Sequence, residues 1–232
     1  MKQMTCILLD PLACLLNLFE EVGFWPEAIT ECQTSLIPKG AGNNHLDLRP
    51  ITLNSVTYSI WATSRARQTA DWQESFCPDS LYGARKGIAT LDAEIPGALQ
   101  IEISHGEKPL VGYAEDRRKC FDMFDARAVV PPLYVLGLPF RLVRAILAYY
   151  RTHCRRFKLH NGVSRKVYTQ SLVQGDAWST RIVNAAFSCL ALRAKKECPA
   201  VVTQFFVDDS KNWVEIDAVS YTHLTLPTIY SV

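Results

Sequence analysis

Hydrophobic and polar positions along this chain follow two periods, and the switches between them outline its elements. Leu12, Leu15, Leu16, Phe19 and Val22 recur at helical spacing between Asp10-Pro11 and Gly23. The pattern predicts a helix with one buried face, capped by Asp10, opened by Pro11 and stopped by Gly23. Gln33 to Pro38 reads as a short strand, Gly40 to Asn44 as a flexible tip, and Arg49 to Leu53 as the returning limb of a hairpin-like unit. Asn54 can cap a helix running to about Ala70. A turn at Tyr82-Gly83 leads to a second helix near Ala89, in which Pro96-Gly97 predicts a kink.

In the second half, Leu110 to Ala114 reads as a buried strand ending at Asp116, and Pro139 to Tyr150 as a helix. Arg155 to Asn161 and Val163 to Leu172 read as two strands around an Asn161-Gly162 hairpin turn. Ser179 caps a predicted helix to Lys196. Val201 to Val207 is a strand with Asp208-Asp209 at its tip, and Ser210 to Val214 its possible return. Helices and strands mix without strict βαβ alternation, so the predicted fold class is α+β.

Composition narrows the function. With 232 residues, 48% hydrophobic and 21% charged, the chain can bury a core and is expected to form one domain, or one large domain with a lobe. The net charge of +2 hides an asymmetry. Between Ala126 and Gly175 stand nine Lys and Arg, Arg155, Arg156 and Lys158 among them, and no Asp or Glu. Such a stretch favours a polyanionic partner. Eight scattered cysteines without a C-x-x-C pair argue against a zinc finger or a disulfide scaffold. Reduced thiols inside the cell, in cytoplasm or nucleus, are the expectation. No apolar run reaches the length of a membrane span, so no membrane partner is expected.

Two strand ends carry candidate chemistry. Asp116 closes one apolar run and Asp208-Asp209 closes another. An isolated Asp-Asp pair reads as a solvated turn, and only its company makes it informative. Adjacent carboxylates repel, and divalent cations with a taste for hard oxygen relieve that repulsion. A third carboxylate from a neighbouring strand would complete a two-ion site with metals roughly 3.5–4 Å apart, suited to in-line displacement at phosphorus. Between the two lies Gln174-Gly175-Asp176, a polar Gly turn where backbone can approach a ligand, and upstream stand the limbs of the first hairpin, with Lys39 and Arg49.

These blocks, in this order, resemble the reverse transcriptase family, most closely the type found in non-LTR (LINE-like) retrotransposons. Ile37-Pro38-Lys39 with Leu48-Arg49-Pro50-Ile51-Thr52-Leu53 resembles the fingers motif that grips the incoming triphosphate. Leu81-Tyr82-Gly83-Ala84-Arg85-Lys86-Gly87 resembles the next block, with Ala84 where the family usually has Phe. Asp116 to Asp122 resembles the first palm motif, Leu136-Gly137-Leu138-Pro139 a family linker, Gln174 to Ser179 the Gln-Gly-Asp-Pro-Leu-Ser block, and Phe206-Val207-Asp208-Asp209 the aromatic-x-Asp-Asp signature. Ser171 and Val173 replace the usual Gly and Pro, and Ala177-Trp178 the usual Pro-Leu.

The resemblance implies right-hand polymerase architecture: fingers over residues 1–109 and a partial palm over 110–217, with 140–172 contributing partly to the fingers. An antiparallel palm sheet would be backed by helices, with the thumb absent. It implies an RNA template, a DNA or RNA primer and dNTPs as partners. Asp116, Asp208 and Asp209 would be ligands of two Mg²⁺ ions, with Mn²⁺ as an alternative. Lys39 and Arg49 would meet the triphosphate, Gln174 would line the nucleotide and template pocket, and Arg85, Arg155, Arg156 and Lys158 would contact nucleic acid. Phe121 would sit under the sugar, leaving a 2′-hydroxyl neither space nor partner, which selects deoxynucleotides over an RNA polymerase's substrates. A plain core Phe is the alternative there. A non-catalytic nucleic-acid-binding remnant of such an enzyme is the competing function. Residues 218–232 match nothing in the family and resemble adapter read-through. The expectation is that they pack poorly, that the parent continues past about Asp217, and that the chain as written is poorly active or inactive.

Overall fold

The computed structural model describes residues 6–38, 48–104, 110–117, 119–159 and 162–215. In chain order the elements are α1 (Cys6–Val22), α2 (Glu27–Thr30), β1 (Glu31–Pro38), β2 (Leu48–Leu53), α3 (Val56–Gln68), α4 (Ala70–Phe76), α5 (Thr90–Ser104) and β3 (Leu110–Asp116). There follow α6 (Cys120–Met123), α7 (Ala126–Val129), a 3₁₀ turn at Pro131–Tyr134, α8 (Phe140–Thr152), β4 (Cys154–Leu159), β5 (Gly162–Val163), β6 (Val167–Tyr168), α9 (Ser179–Glu197), β7 (Val202–Phe206) and β8 (Asp209–Glu215). The architecture is α+β. It divides into two compact units, one of residues 1–77 and 119–186, the other of 78–118 and 187–232. Strand pairing joins distant stretches within each unit. The expectation for residues 218–232 lies outside the described residues.

The first unit holds a mixed sheet ordered β2-β1-β4-β5, with β6 also on β4. β1 and β2 are antiparallel with Ile37 opposite Arg49, as the hairpin reading expects. β4 runs parallel to β1. The second limb expected at Val163–Leu172 is instead two short strands, and the Ser164 hydroxyl accepts the Phe157 N–H between them. Helix α8 explains the core. Leu142, Val143, Ile146, Tyr149 and Tyr150 share one buried face, and Tyr149 stacks on Tyr58 of α3. Trp25 packs edge-on against Tyr58, Trp61 and Tyr149 and donates its indole N–H to the Ala145 carbonyl at 2.9 Å. Burying each such ring is worth roughly 2–3 kcal/mol.

Two helix starts differ from the expected caps. Helix α1 begins before Asp10 and carries Pro11 inside it, where the ring removes a ladder bond and crowds the carbonyl four residues earlier. Gly23 ends it as expected, its N–H on the Phe19 carbonyl. Only one stripe of α1 is covered, and Leu15 and Val22 lie exposed. Its deepest polar residue is Glu20, 2% exposed, which accepts from the Trp61 indole at 2.9 Å and Arg65 Nε at 2.5 Å and pairs with Arg141 at 3.1 Å. Helix α3 is capped by Ser55, whose hydroxyl accepts the Tyr58 N–H, rather than by Asn54.

The second unit is built on an antiparallel sheet ordered β3-β8-β7. β3 was expected to be buried. It is an edge strand, exposed from Gly112 onward, with Tyr113 61% accessible, because β8 takes the central place. Helix α5 continues through Pro96, and Gly97 faces Gln204 and Trp213. On the odd-numbered side of β7, Phe205 stacks on Phe187 with ring centroids 5.2 Å apart.

Candidate active site

The strand register brings the candidate carboxylates together. Asp116, the last residue of β3, lies directly opposite Asp209, the first of β8, which places their β-carbons roughly 5 Å apart on one face. Val207 and Asp208 form the two-residue turn between β7 and β8, since Phe206 pairs with Asp209. Val207 takes φ +56, at the turn position where glycine is usual. A β-branched residue there stores strain of about 1–3 kcal/mol. Three acids from remote stretches thus share one end of one sheet.

Their electrostatics agree with that placement. Asp209 is exposed, yet its carboxyl sits above the ordinary carboxylate range, first through partial desolvation and then through the like charges of Asp208 and Asp116. Lys211 opposes this effect but is itself paired with Glu94. A cleft of about 340 Å³ opens beside Asp116 and Asp209, bordered by Glu94, Gln204 and Lys211. Among the described residues no three metal-ligating side chains are gathered closely enough to hold an ion. The donor chemistry fits a divalent cation, because hard oxygens that repel one another are stabilised by one. The closed ligand shell is not formed.

The turn rests on the Ser80–Gly83 segment. Ser80 to Gly83 lies alongside β7: Phe205 N–H donates to the Ser80 carbonyl at 2.8 Å and Tyr82 N–H to the Phe205 carbonyl at 2.9 Å. Gly83 meets the turn so closely that a β-carbon there would lie 2.5 Å from the Val207 nitrogen. Arg85, expected at template backbone, donates to the carbonyls of Pro78 and Leu81 at 3.1 and 2.9 Å, so it holds this segment's own turn. From the β3 side, Arg117 donates through its N–H at 3.2 Å and through Nη1 at 3.4 Å to the Asp208 carbonyl. Its guanidinium lies over the Phe187 ring. A glycine flanked by apolar residues, and an Arg next to Asp116, were the available signals for this support, and neither specifies β7 or Asp208 as its target.

The other candidates lie in the first unit. Arg49 is exposed on β2 with no ion-pair partner among the described residues; Lys39 lies outside the described residues. Phe121 belongs to α6 and is half-buried rather than a core ring. Gln174 is half-buried in a turn beside β2, where a β-carbon at Gly175 would come within 3.6 Å of the Thr52 carbonyl. The turn's anchor is Asp176, to which sequence spacing assigns no role. Its Oδ2 accepts the Tyr150 hydroxyl at 2.6 Å and the Tyr58 hydroxyl at 3.4 Å. Burial raises its pKa to about 6, against the lowering by Tyr150, the Trp178 N–H and Tyr58. Ser179, expected to cap α9, instead spends its hydroxyl on the Val173 carbonyl and Tyr150. Trp178, a departure from the family pattern, is fully buried beside Trp61.

The basic stretch is largely neutralised within its own unit, by acids that precede it in sequence. Arg155, expected at nucleic acid, is buried, paired with Asp122 at 2.9 Å and bonded to Ser171 and the Leu172 carbonyl. This makes it an internal tie. Arg156 pairs with Glu31 at 2.6 Å, and Lys166 with Glu27 and Glu31. Arg127 pairs with Asp125. Lys158 alone of the three nucleic-acid candidates here is exposed without an ion pair among the described residues.

Among solved structures, the chain is similar to telomerase from Candida tropicalis truncated from its C-terminal domain, at 13% identity and TM-score 0.57, over 81% of this chain and 44% of that one. It is also similar to telomerase from Candida tropicalis in complex with the TWJ fragment of telomeric RNA, at 12% and 0.59, over 94% and 41%. The corresponding complex from Candida albicans matches at 12% and 0.55, over 84% and 39%. These likenesses show a fold shared with part of those telomerase structures. The chain spans less than half the length of these neighbours. No family model matches the sequence, and no curated protein does. Among the described residues no helix is long and apolar enough to cross a membrane.

Proposed function

We propose that this chain is the polymerising part of a reverse transcriptase, an RNA-directed DNA polymerase of a non-LTR retrotransposon, extending a DNA or RNA primer on an RNA template inside the cell. The observation that carries the reading is the cross-strand meeting of Asp116 and Asp209 beside Asp208. In this reading β3, β7 and β8 are the palm sheet. Asp116, Asp208 and Asp209 would hold two Mg²⁺ ions, or Mn²⁺ in their place. When bound, such ions make the primer 3′-hydroxyl a better nucleophile and balance charge on the departing pyrophosphate.

The chain's own groups take the remaining roles. Arg49, exposed and free of ion pairs among the described residues, is assigned the triphosphate together with Lys39, since guanidinium and ammonium groups both bind phosphate oxygens. Phe121 is assigned the sugar, where a ring excludes a 2′-hydroxyl. Gln174 is assigned base and template, and its turn is kept in place by the buried Asp176. The burial of Trp178 supports reading that departure as core packing rather than decay. Lys158, with Arg156 beside it, is assigned to nucleic-acid backbone.

A second reading, a non-catalytic nucleic-acid-binding remnant, draws on the lack of three gathered metal-ligating side chains among the described residues. Primer extension with Mg²⁺ by the parent protein, extended past Asp217, separates the two, comparing dNTPs with NTPs and RNA with DNA templates. The expected result is dNTP incorporation on RNA that Asp208→Asn abolishes while salt-sensitive RNA binding is retained. Binding without incorporation by that extended protein favours the remnant, and equal activity of its Asp208→Asn variant removes the metal assignment.

A further inference from the structure

We infer that Gly83 and Arg117 are positioning residues that hold the Asp208 turn from its two sides. The inference rests on the proposed metal role of Asp208. A positive φ at a β-branched residue persists only where the surroundings over-determine it, and here the surroundings can be named. On the β7 side, the Ser80–Tyr82 backbone bonds to Phe205 in both directions. That fixes β7 up to the residue before the turn. Gly83 then lies against the turn itself, with a hypothetical β-carbon 2.5 Å from the Val207 nitrogen and 2.7 Å from its Cγ2. Both clashes fall on Val207, and the nearer is with backbone that no side-chain rotation can move aside. Any residue larger than glycine therefore displaces the peptide that leads into Asp208.

On the β3 side, two donors of Arg117 converge on the Asp208 carbonyl. The guanidinium is itself fixed, 4.8 Å from the Phe187 ring centroid, 5.7 Å from that of Phe205, and 2.8 Å from the Glu115 carboxylate. Arg117 follows Asp116 directly, so one short segment supplies a candidate ligand and the brace for another. The carbonyl, not the carboxylate, receives the guanidinium. The Asp208 side chain therefore keeps its oxygens for a cation while its backbone is immobilised.

The test uses the full chain with two readouts, hydrogen exchange of the 203–211 segment and Mn²⁺ binding by electron paramagnetic resonance. The variants are Gly83→Ala, Arg117→Met, the conservative Arg117→Lys, and Asp208→Asn as the ligand control. Faster exchange at the turn in Gly83→Ala and Arg117→Met is expected, with Mn²⁺ affinity lowered by about tenfold or more, as for other groups that orient metal ligands. Arg117→Lys should recover part of both. Arg117→Met serves if Gly83→Ala does not fold. Unchanged exchange in the folded variants overturns the inference, as does faster exchange with unaltered Mn²⁺ affinity. Failure of the underlying metal role has a different signature: Asp208→Asn binds Mn²⁺ as tightly as the unaltered chain, or neither binds it, and the inference then falls with it.

Discussion

Asp116 and Asp209 are cross-strand partners at one end of a three-stranded sheet, and Asp209 carries a raised pKa to which Asp116 contributes. Like charges directly opposite each other destabilise a strand pair. Because the folded-state pKa of Asp209 lies above its unfolded value, its favourable contribution is present at low pH and is lost as pH rises through the folded value.

Asp116→Asn is therefore expected to lower the Asp209 pKa toward the ordinary carboxylate range, read by carbon NMR of the carboxyl groups. It should also raise the thermal midpoint at neutral pH without added metal. MgCl₂ should raise the midpoint of the unaltered chain and leave that of Asp116→Asn nearly fixed. An Asp209 titration identical in both proteins would show that the two acids do not communicate.

Two buried groups set opposing pH dependences in the first unit. Asp176 has its pKa raised by burial to about 6, so its contribution is complete below its unfolded value and lost as pH rises to 6. His153 has its pKa lowered by burial to about 4; its contribution is complete above its unfolded value and lost as pH falls to 4. Each shift corresponds to roughly 3 kcal/mol. Urea unfolding of the unaltered chain should therefore vary little between pH 4 and 6.5 on account of these groups. Asp176→Asn should become more stable with rising pH over that window, and His153→Gln less stable.

Glu20 is expected to matter more than a surface acid at a helix end. Glu20→Ala leaves Arg65 and the Trp61 indole without their acceptor, a loss of about 3 kcal/mol by analogy with broken buried pairs. Glu20→Gln keeps an acceptor for Trp61 and should cost less. Denaturant midpoints check both.

Arg155 and Lys158, neighbours on one strand, should separate cleanly. Arg155→Gln breaks a buried pair with Asp122 and is expected to lower stability by about 3 kcal/mol. Lys158→Gln should leave stability within about 0.5 kcal/mol, weaken RNA binding, and reduce the salt slope of binding by about one. A salt slope unaffected by Lys158→Gln would remove that residue from the interface.

Much of the local structure was legible along the chain. The β1–β2 hairpin, α8, and the β7–β8 turn with its acids follow from periodicity and turn chemistry, which act between near neighbours. The misreadings have a common form. β3 has an apolar sequence but an edge position, and strand composition does not say which strand takes the centre of a sheet. Pro11 did not begin α1: it sits inside the helix, where tertiary packing overrides the local cost of a proline. The acid-free basic stretch suggested an open cationic surface, yet Glu20, Glu27, Glu31, Asp122 and Asp125 return to it from earlier in the chain.

By itself the sequence determined which residue types stand at the strand ends, the order of the blocks, and the elements that carry them, since each depends on interactions over a few residues. Only the tertiary structure decided that Asp116 faces Asp209, that Ser80–Gly83 lies along β7 against Val207, and that Arg155 turns inward to Asp122. Those pairings join segments far apart in the chain, where register and burial arise from the collapse of the whole unit, and no local pattern encodes them.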